Sequence, residues 1–295
     1  MRHWFITGAT GFIGQALIES ILSQGDRITA LRRSTSRFDH ARVDWVPSVQ
    51  DLPESVDVIV NLAGEGIADA RWSAARRASL LESRVTLTQD LAKAANEKQV
   101  AQVISASAVG FYGSGGEVDE GAPQGKGFAA QLCADWEEAA AQFNAPTAII
   151  RLGVVLGPGG FLNRTLLPFS LGLGGPIGSG HQGFSWIHRD DVIRMIHWLA
   201  EHQKTGVYNA CGPQACSNRD MTQALASAVK RPAFFPAPGF ALKAAFGKMA
   251  EELLLQGQQA LPKRALSEGF EFEFESIAPA MADAVAKKRL ATKGG

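Results

Sequence analysis

The sequence predicts an α/β protein built on a doubly wound, largely parallel sheet, and three observations carry that prediction. Residues 4–14 read Trp-Phe-Ile-Thr-Gly-Ala-Thr-Gly-Phe-Ile-Gly. A short apolar strand therefore runs into three glycines spaced G-x-x-G-x-x-G, and an amphipathic helix follows with Ile13, Leu17, Ile21 and Leu22 on one face. Apolar runs at 27–31, 57–62, 103–108 and 147–152 alternate with helical stretches, the order that builds βαβ units. Small and polar residues gather where these runs end, and open parallel sheets bind ligands at their strand carboxyl ends.

The glycine segment reads as a phosphate cradle. Gly8 permits the tight turn, Gly11 lets the backbone approach a pyrophosphate, and Gly14 lets the helix lie close to the strand. Thr7, Thr10, Phe12 and Ile13 complete the predicted cofactor-binding segment. Residues 27–31 form the second strand after a Gln24-Gly25 C-cap. A site for NAD usually carries Asp or Glu roughly 20 residues past the glycines, to hold the ribose hydroxyls. Arg32-Arg33-Ser34 stand there instead, two guanidiniums and a hydroxyl able to clamp a phosphate, which favours NADP(H) over NAD(H).

Residues 43–46 read as a short third strand. The run at 57–62 is a buried strand ending in a small-residue turn, so Leu62, Ala63, Gly64 and Gly66 join the predicted cofactor set and Glu65 the substrate set. A helix is expected over 73–98. Arg84 sits there among apolar neighbours and is a candidate substrate ligand. The fifth strand, 103–108, ends in hydroxyls, placing Ser105 beside the cofactor and Ser107 where chemistry would occur. A strand-end turn whose hydroxyls cap backbone groups would give the same pattern.

The sixth strand, 147–152, leads into Gly153 and Val154. A helix at 161–171 precedes the Gly-rich stretch 172–180, expected to be a substrate-side lid. Residues 184–191 read as a strand capped into a helix through 201, with Asp190 or Asp191 at the N-cap and His188 as a candidate substrate ligand. A lone histidine is more often structural. A seventh strand at 206–209 and a helix at 218–229 follow, and Pro232, Pro236 and Pro238 mark a boundary. The expected division is a dinucleotide-binding domain over 1–212, with 157–185 contributing to the substrate lobe, and a substrate-side extension over 213–295. That extension reads as a helix at 240–255, a strand at 270–275 from its strict Phe/Glu alternation, a helix at 277–286 and a frayed basic tail.

Bulk properties narrow the function. Lys plus Arg equals Asp plus Glu at 29 each, which argues against nucleic-acid or membrane-surface binding. No apolar run is long enough to span a bilayer, and a strand begins almost at the first residue, leaving no room for a targeting peptide. Three cysteines without C-x-x-C spacing suggest reduced thiols in a cytoplasm, and the six histidines show no metal-binding pair. The expected partner is a small molecule, bound by a monomer or homodimer.

Several segments together resemble the extended, epimerase-like branch of the short-chain dehydrogenase/reductases, the NAD-dependent epimerase/dehydratase family. They are T-G-A-T-G-F-I-G, N-L-A-G-E-G-I-A-D-A-R-W from Asn61, L-C-A-D-W-E from Leu132, R-L-G-V-V-L-G from Arg151, L-G-L-G-G-P-I-G-S-G from Leu171, W-I-H from Trp186 and L-P-K-R from Leu261. The resemblance implies a Rossmann fold and NADP(H) binding. It also implies that Ser107 hydrogen-bonds the reacting oxygen and that Gly153 and Val154 pass the nicotinamide.

The sequence departs from that pattern at one place. An active member needs Tyr-x-x-x-Lys on the helix after the fifth strand, and residues 128–138 hold neither. The only tyrosines are Tyr112 and Tyr208, with Gly116 and Gly212 four residues on. Two readings follow. One is an NADP(H)-dependent oxidoreductase or epimerase with nonstandard acid/base groups: Ser107 as oxygen donor, Tyr112, Glu65 or water as relay, and Lys126, Cys133 or Glu137 as substitutes. The other is an NADP(H)-binding sensor or interaction protein that does no turnover.

Overall fold

The computed structural model describes residues 1–32 and 38–293. The N-terminal half alternates strand and helix: β1 (His3–Thr7), α1 (Phe12–Ser23), β2 (Arg27–Leu31), β3 (Val43–Val46), β4 (Ser55–Asn61), α2 (Ala74–Leu81), α3 (Leu87–Asn96) and β5 (Gln99–Ala108). It continues through β6 (Glu117–Val118), α4 (Phe128–Ala140), β7 (Thr147–Leu152), β8 (Val154–Leu156), α5 (Phe161–Ser170), β9 (Trp186–His188), α6 (Arg189–Glu201), β10 (Gly206–Ala210) and α7 (Asn218–Val229). The C-terminal part is α8 (Gly239–Phe246), α9 (Lys248–Ala250), β11 (Gln259–Ala260), α10 (Lys263–Ser267) and α11 (Ile277–Lys293).

Seven parallel strands pair in the order β10-β7-β5-β4-β1-β2-β3, as the doubly wound reading requires. The strand order reverses between β1 and β4, with Ile6 opposite Ala30 on one side and Val60 on the other. Successive strand residues point to opposite faces, and helices cover both. On one face Trp4, Ile6, Val60, Ile104 and Ile150 pack with Leu17 and Ile21 of α1 and Ile196 and Leu199 of α6. On the other, Phe5, Ile59 and Val103 pack with Leu87 and Leu91 of α3. Burial on both faces is why these strands read as continuous apolar runs rather than as alternating ones.

A smaller lobe has its own core. Leu156, Phe169, Trp186, Met221 and Leu225 pack with Met281 and Val285 of α11. β11 returns to pair in parallel with β6, Gln259 opposite Glu117 and Ala260 opposite Val118, which ties the C-terminal extension to the loop after β5.

Four expectations are corrected. The helix expected over 73–98 contains a π-helical turn at Glu82–Thr86, a widening that local periodicity does not reveal. The helix expected over 240–255 breaks at Gly247, whose φ is +60°, and closes in a π turn at Glu251–Leu255. The final helix runs past residue 286 to Lys293; Ala280, Met281, Ala284 and Val285 anchor its first half in the lobe core. Residues 270–275 are extended but join no sheet. Their alternating burial is as expected, but the backbone N–H groups of Glu273 and Phe274 donate to the Asp191 carboxylate at 2.7 and 3.1 Å instead of to a neighbouring strand. No helix is long and apolar enough to cross a membrane among the described residues.

Candidate functional site

The turn after β1 builds the cradle. Gly8 has φ +69°, and a Cβ there would collide with the backbone of Leu62 and Ala63, so the β1 and β4 ends approach closely only because it is glycine. The Gly11 N–H closes the turn on the Gly8 carbonyl at 2.9 Å. Gly11 then caps α1 without any side-chain acceptor, and no acid occupies the first helical turn. The first N–H groups of α1 therefore have neither an intrahelical nor a capping partner. Gly14 is buried, and a Cβ there would strike the Gly8 carbonyl and Ala9, as its predicted packing role requires.

The cavity at this point has a volume of about 270 Å³. Gly8, Thr10 and Gly11 form one wall, Leu62, Ala63, Gly64 and Glu65 another, and Arg32 the outer edge. The Arg32 guanidinium lies 4.8 Å from the Trp45 ring centroid and 3.3 Å from an Asp39 carboxylate oxygen. Arg33 and Ser34 lie outside the described residues.

Other predicted cofactor residues stand behind the cradle rather than in it. Thr7 is fully buried and donates to Asn61 Oδ1 at 2.6 Å; Asn61 Nδ2 donates to Thr88 Oγ1 at 2.8 Å and to Ser105 Oγ at 3.2 Å. Thr7 and Ser105 thus lock β1, β4 and β5 together. Ile13 packs on the core. Phe12 presents its ring to Gly157, Gly159 and Gly160, beneath the Arg189 guanidinium 5.2 Å away. Gly66 fits against the Asp69 carboxylate, and Gly153 against the Ser185 carbonyl and Cys211.

The predicted substrate residues are mostly committed elsewhere. Glu65 lines the cradle, but its carboxylate accepts from Ser79 at 2.8 Å and from Arg76, and these bonds hold its pKa below the usual range. It is an ionised brace, not a proton relay. Arg84 donates to the Glu65 carbonyl at 2.6 Å and lies 5.3 Å from the Trp136 ring, supporting the 64–65 turn from behind. His188 is fully buried. Its Nδ1 accepts from the Asp190 N–H at 3.2 Å, so His188 itself is the N-cap of α6, displacing the expected Asp190 or Asp191. Its Nε2 lies 3.1 Å from Asp283 on α11, and burial lowers its pKa. His188, Asp190 and Asp283 converge as metal ligands do, yet the Lys287 ammonium stands 2.6 and 2.9 Å from the two carboxylates and already supplies the positive charge.

At the end of β5 a buried polar network fills the place expected for acid/base chemistry. Ser107 Oγ donates to Glu137 Oε1 at 2.7 Å. Arg151 grips the same carboxylate twice, Nε to Oε1 at 2.8 Å and an Nη to Oε2 at 2.7 Å, and its other Nη donates to the Tyr112 hydroxyl at 2.9 Å. Tyr112 in turn donates to Asn209 Oδ1 at 2.7 Å. Tyr112 is 5% exposed and its hydroxyl is engaged as both donor and acceptor, so it stands within the network and not on the cleft wall. Burial raises its pKa further. Ser107 is where the sequence places it but only 1% exposed. Cys133 lies one helical turn before Glu137, against Gly110, with its thiol pushed up to about 12 by burial. The role of Arg151 was missed; its signal is a lone charge inside the apolar run T-A-I-I-R-L.

Beside this network a cleft of about 150 Å³ opens between the β5 end and the C-terminal extension, with Val154 and Ser185 on its wall. Cradle and cleft lie along the same carboxyl edge, since β4 and β5 are neighbours. A larger groove of about 620 Å³ lies between α1 and α6, lined by Gln15, Glu19, Arg189 and Arg194 among others.

The sequence pattern of the NAD dependent epimerase/dehydratase family matches residues 4–211. The chain belongs to that family. A domain of unknown function (DUF1731) matches residues 237–284. Epimerase family protein Mb2239 of Mycobacterium bovis is 39% identical over 288 residues, covering 94% of this chain and 95% of the relative. The crystal structure of human epimerase family protein SDR39U1 (isoform 2) with NADPH superimposes with a TM-score of 0.89 at 34% identity, covering 96% of this chain and 99% of that one. A UDP-glucuronic acid 4-epimerase from Bacillus cereus, in complex with UDP-glucuronic acid and NAD, shares the fold at 18% identity, with a TM-score of 0.79 and coverage of 98% and 99%. Against the usual family pattern, the helix that would carry Tyr-x-x-x-Lys presents Cys133 and Glu137 at the same i,i+4 spacing.

Proposed function

We propose that this epimerase-family protein binds NADP(H) in the cradle and acts as an oxidoreductase or epimerase on a small molecule held in the adjoining cleft. The observation that carries the cofactor reading is Arg32 on the outer edge of the cradle, where an NAD site would carry an acid. The uncapped N-terminus of α1 suits the pyrophosphate, and Arg32 suits a ribose 2′-phosphate. The NADPH in the human relative supports the same assignment. When bound, the nicotinamide supplies or accepts hydride. The chain's own contribution is positional: Glu137 orients the Ser107 hydroxyl, Arg151 balances the Glu137 charge, and the Cys133 thiol keeps its proton at neutral pH. Three buried, free thiols agree with a cytoplasmic setting.

A second reading is NADP(H) binding without turnover. It is favoured by the closure of the Glu137–Arg151 pair over Ser107, which leaves no acid or base there exposed.

Titration of wild type and Arg32→Glu with NADPH and NADH tests the cofactor assignment. Loss of a charge-assisted phosphate contact is worth about 1.5–3 kcal/mol, so NADPH should weaken by roughly 10- to 100-fold while NADH changes little. Tighter binding of NADH to wild type, or unchanged NADPH affinity in the variant, refutes the assignment. Deuterium transfer from labelled NADPH to a small carbonyl compound separates turnover from binding alone.

A further inference from the structure

The cleft beside Ser107 differs from the cradle in what its walls leave free. On one side stand Val109, Gly110 and Ala129; on the other, the C-terminal extension brings Glu252, Gln256 and Gln258. Most of the polar wall is internally satisfied. Gln258 Nε2 donates to the Val109 carbonyl at 2.5 Å, and Ser185 Oγ donates to the Gln258 carbonyl at 2.8 Å while accepting from the Ala260 N–H at 2.9 Å. Glu252 Oε2 accepts from the Ala129 N–H at 3.0 Å, so its carboxylate sits on the positive end of α4.

Three side chains on the wall have no such partner. Lys126, Ser114 and Gln256 make no side-chain hydrogen bond or ion pair among the described residues. An ammonium, a hydroxyl and an amide supply mostly donors, and the ammonium supplies a charge. A Cβ at Gly113, whose φ is +65°, would stand 3.1 Å from the Lys126 backbone nitrogen, so the two stretches of backbone approach closely there. At about 150 Å³ the space equals roughly five water volumes and is half of the ~300 Å³ where drug-sized pockets begin.

We propose that this cleft binds a small molecule bearing an oxyanion, a carboxylate or phosphate of a few carbons, anchored by Lys126, and that it does not admit a nucleotide sugar. The proposal rests on the reading of the cleft as the substrate site. It names the substrate class and departs from the UDP-sugar bound by the distant structural neighbour. It also gives residues 252–258 a function, since that segment forms the wall that limits the size of the site.

Calorimetric titration of the NADPH-loaded protein with inorganic phosphate, pyruvate and UDP-glucose tests it. Phosphate or pyruvate should bind, and which of the two binds more tightly identifies the oxyanion; UDP-glucose should not. Lys126→Gln should weaken the bound probe at least about tenfold, or 1.4 kcal/mol, and Lys126→Arg should keep it within about threefold. Lys126 is exposed, so neither variant disturbs the core. NADPH affinity should be unchanged in both, which separates this outcome from failure of the cofactor reading. If NADPH does not bind wild type, the cofactor reading fails, and the same titrations on cofactor-free protein still decide the proposal. Binding of UDP-glucose, absence of binding by both anions, an unaltered Lys126→Gln, or displacement of the anion by NADPH each overturns it.

Discussion

Replacing Arg151 with Met removes the only cation that hydrogen-bonds Glu137 among the described residues. The pair is bidentate at 2.8 and 2.7 Å, and the side chains are 5% and 12% exposed. The variant leaves a carboxylate in a poorly solvated place with Ser107 as its remaining donor, and takes a donor from the Tyr112 hydroxyl. Breaking a buried pair from one side costs about 3–5 kcal/mol. Unfolding entropy of about 2.1 cal/mol/K per residue, over 295 residues, is near 0.6 kcal/mol/K, so the midpoint should fall by about 5–8 °C. Glu137→Leu combined with Arg151→Met should recover most of that loss, because an apolar pair of similar volume carries no desolvation penalty. Thermal and urea unfolding of the four proteins in the double-mutant cycle measure this. A loss below about 1 kcal/mol for Arg151→Met, or strictly additive effects, would refute the view that Glu137 and Arg151 form an energetically coupled buried pair.

Two further outcomes follow from burial. His188 and His197 have pKa values lowered chiefly by burial, so the fold prefers both neutral while the unfolded chain titrates near 6.5. The unfolded state then binds more protons, and this stability is complete above about pH 6.5 and lost as pH falls toward the lowered folded values. The urea midpoint should drop between about pH 7.5 and 5.5; a flat or rising midpoint would contradict it. Burial also pushes the Cys133 and Cys216 thiols up to about 12 and raises Cys211, so iodoacetamide at about pH 8 should label none in the native protein and all three after denaturation. Native labelling of Cys133 would show that its thiol is reachable.

The legible parts of the fold are those in which local sequence and tertiary burial demand the same thing. β2 and β7 fall where the apolar runs place them, because a strand covered on both faces needs such a run; the edge strand β3 also falls at its expected residues, although it is only partly buried. Residues 270–275 show the limit. Phe/Glu alternation reports a chain with one buried side, and that is present, but a strand also needs a neighbour for its N–H groups; Asp191 provides the acceptor instead. The same limit applies to His188. Its sequence context places it at the start of α6, but the carboxylate that its Nε2 faces at 3.1 Å, Asp283, is 95 residues away on a helix with no local mark of the approach. Gly14 is more legible, because the collision a Cβ would cause there is with Gly8 and Ala9 of its own turn, whereas that at Gly8 is with Leu62 and Ala63 at the end of β4.

Without Tyr and Lys, the charged groups beside Ser107 are a carboxylate paired with a guanidinium, so more than the identity of the acid differs. A lysine near a tyrosine favours the deprotonated donor, so the usual pair serves proton transfer in either direction. Here the helix carries Cys133 and, four residues on, a carboxylate, and burial together with Glu137 raises the Cys133 thiol instead of lowering it. Arg151 offsets the Glu137 charge with two hydrogen bonds and donates from its other Nη to the Tyr112 hydroxyl. A thiol so placed can hold a proton but not readily release one. Any turnover must therefore draw its proton from the cleft, where Lys126 and solvent are the available donors, or the site must bind its cofactor without transferring one. The charge at Lys126 thus bears on both readings at once: it is the group that would anchor an anionic substrate and an unpaired proton donor on the cleft wall.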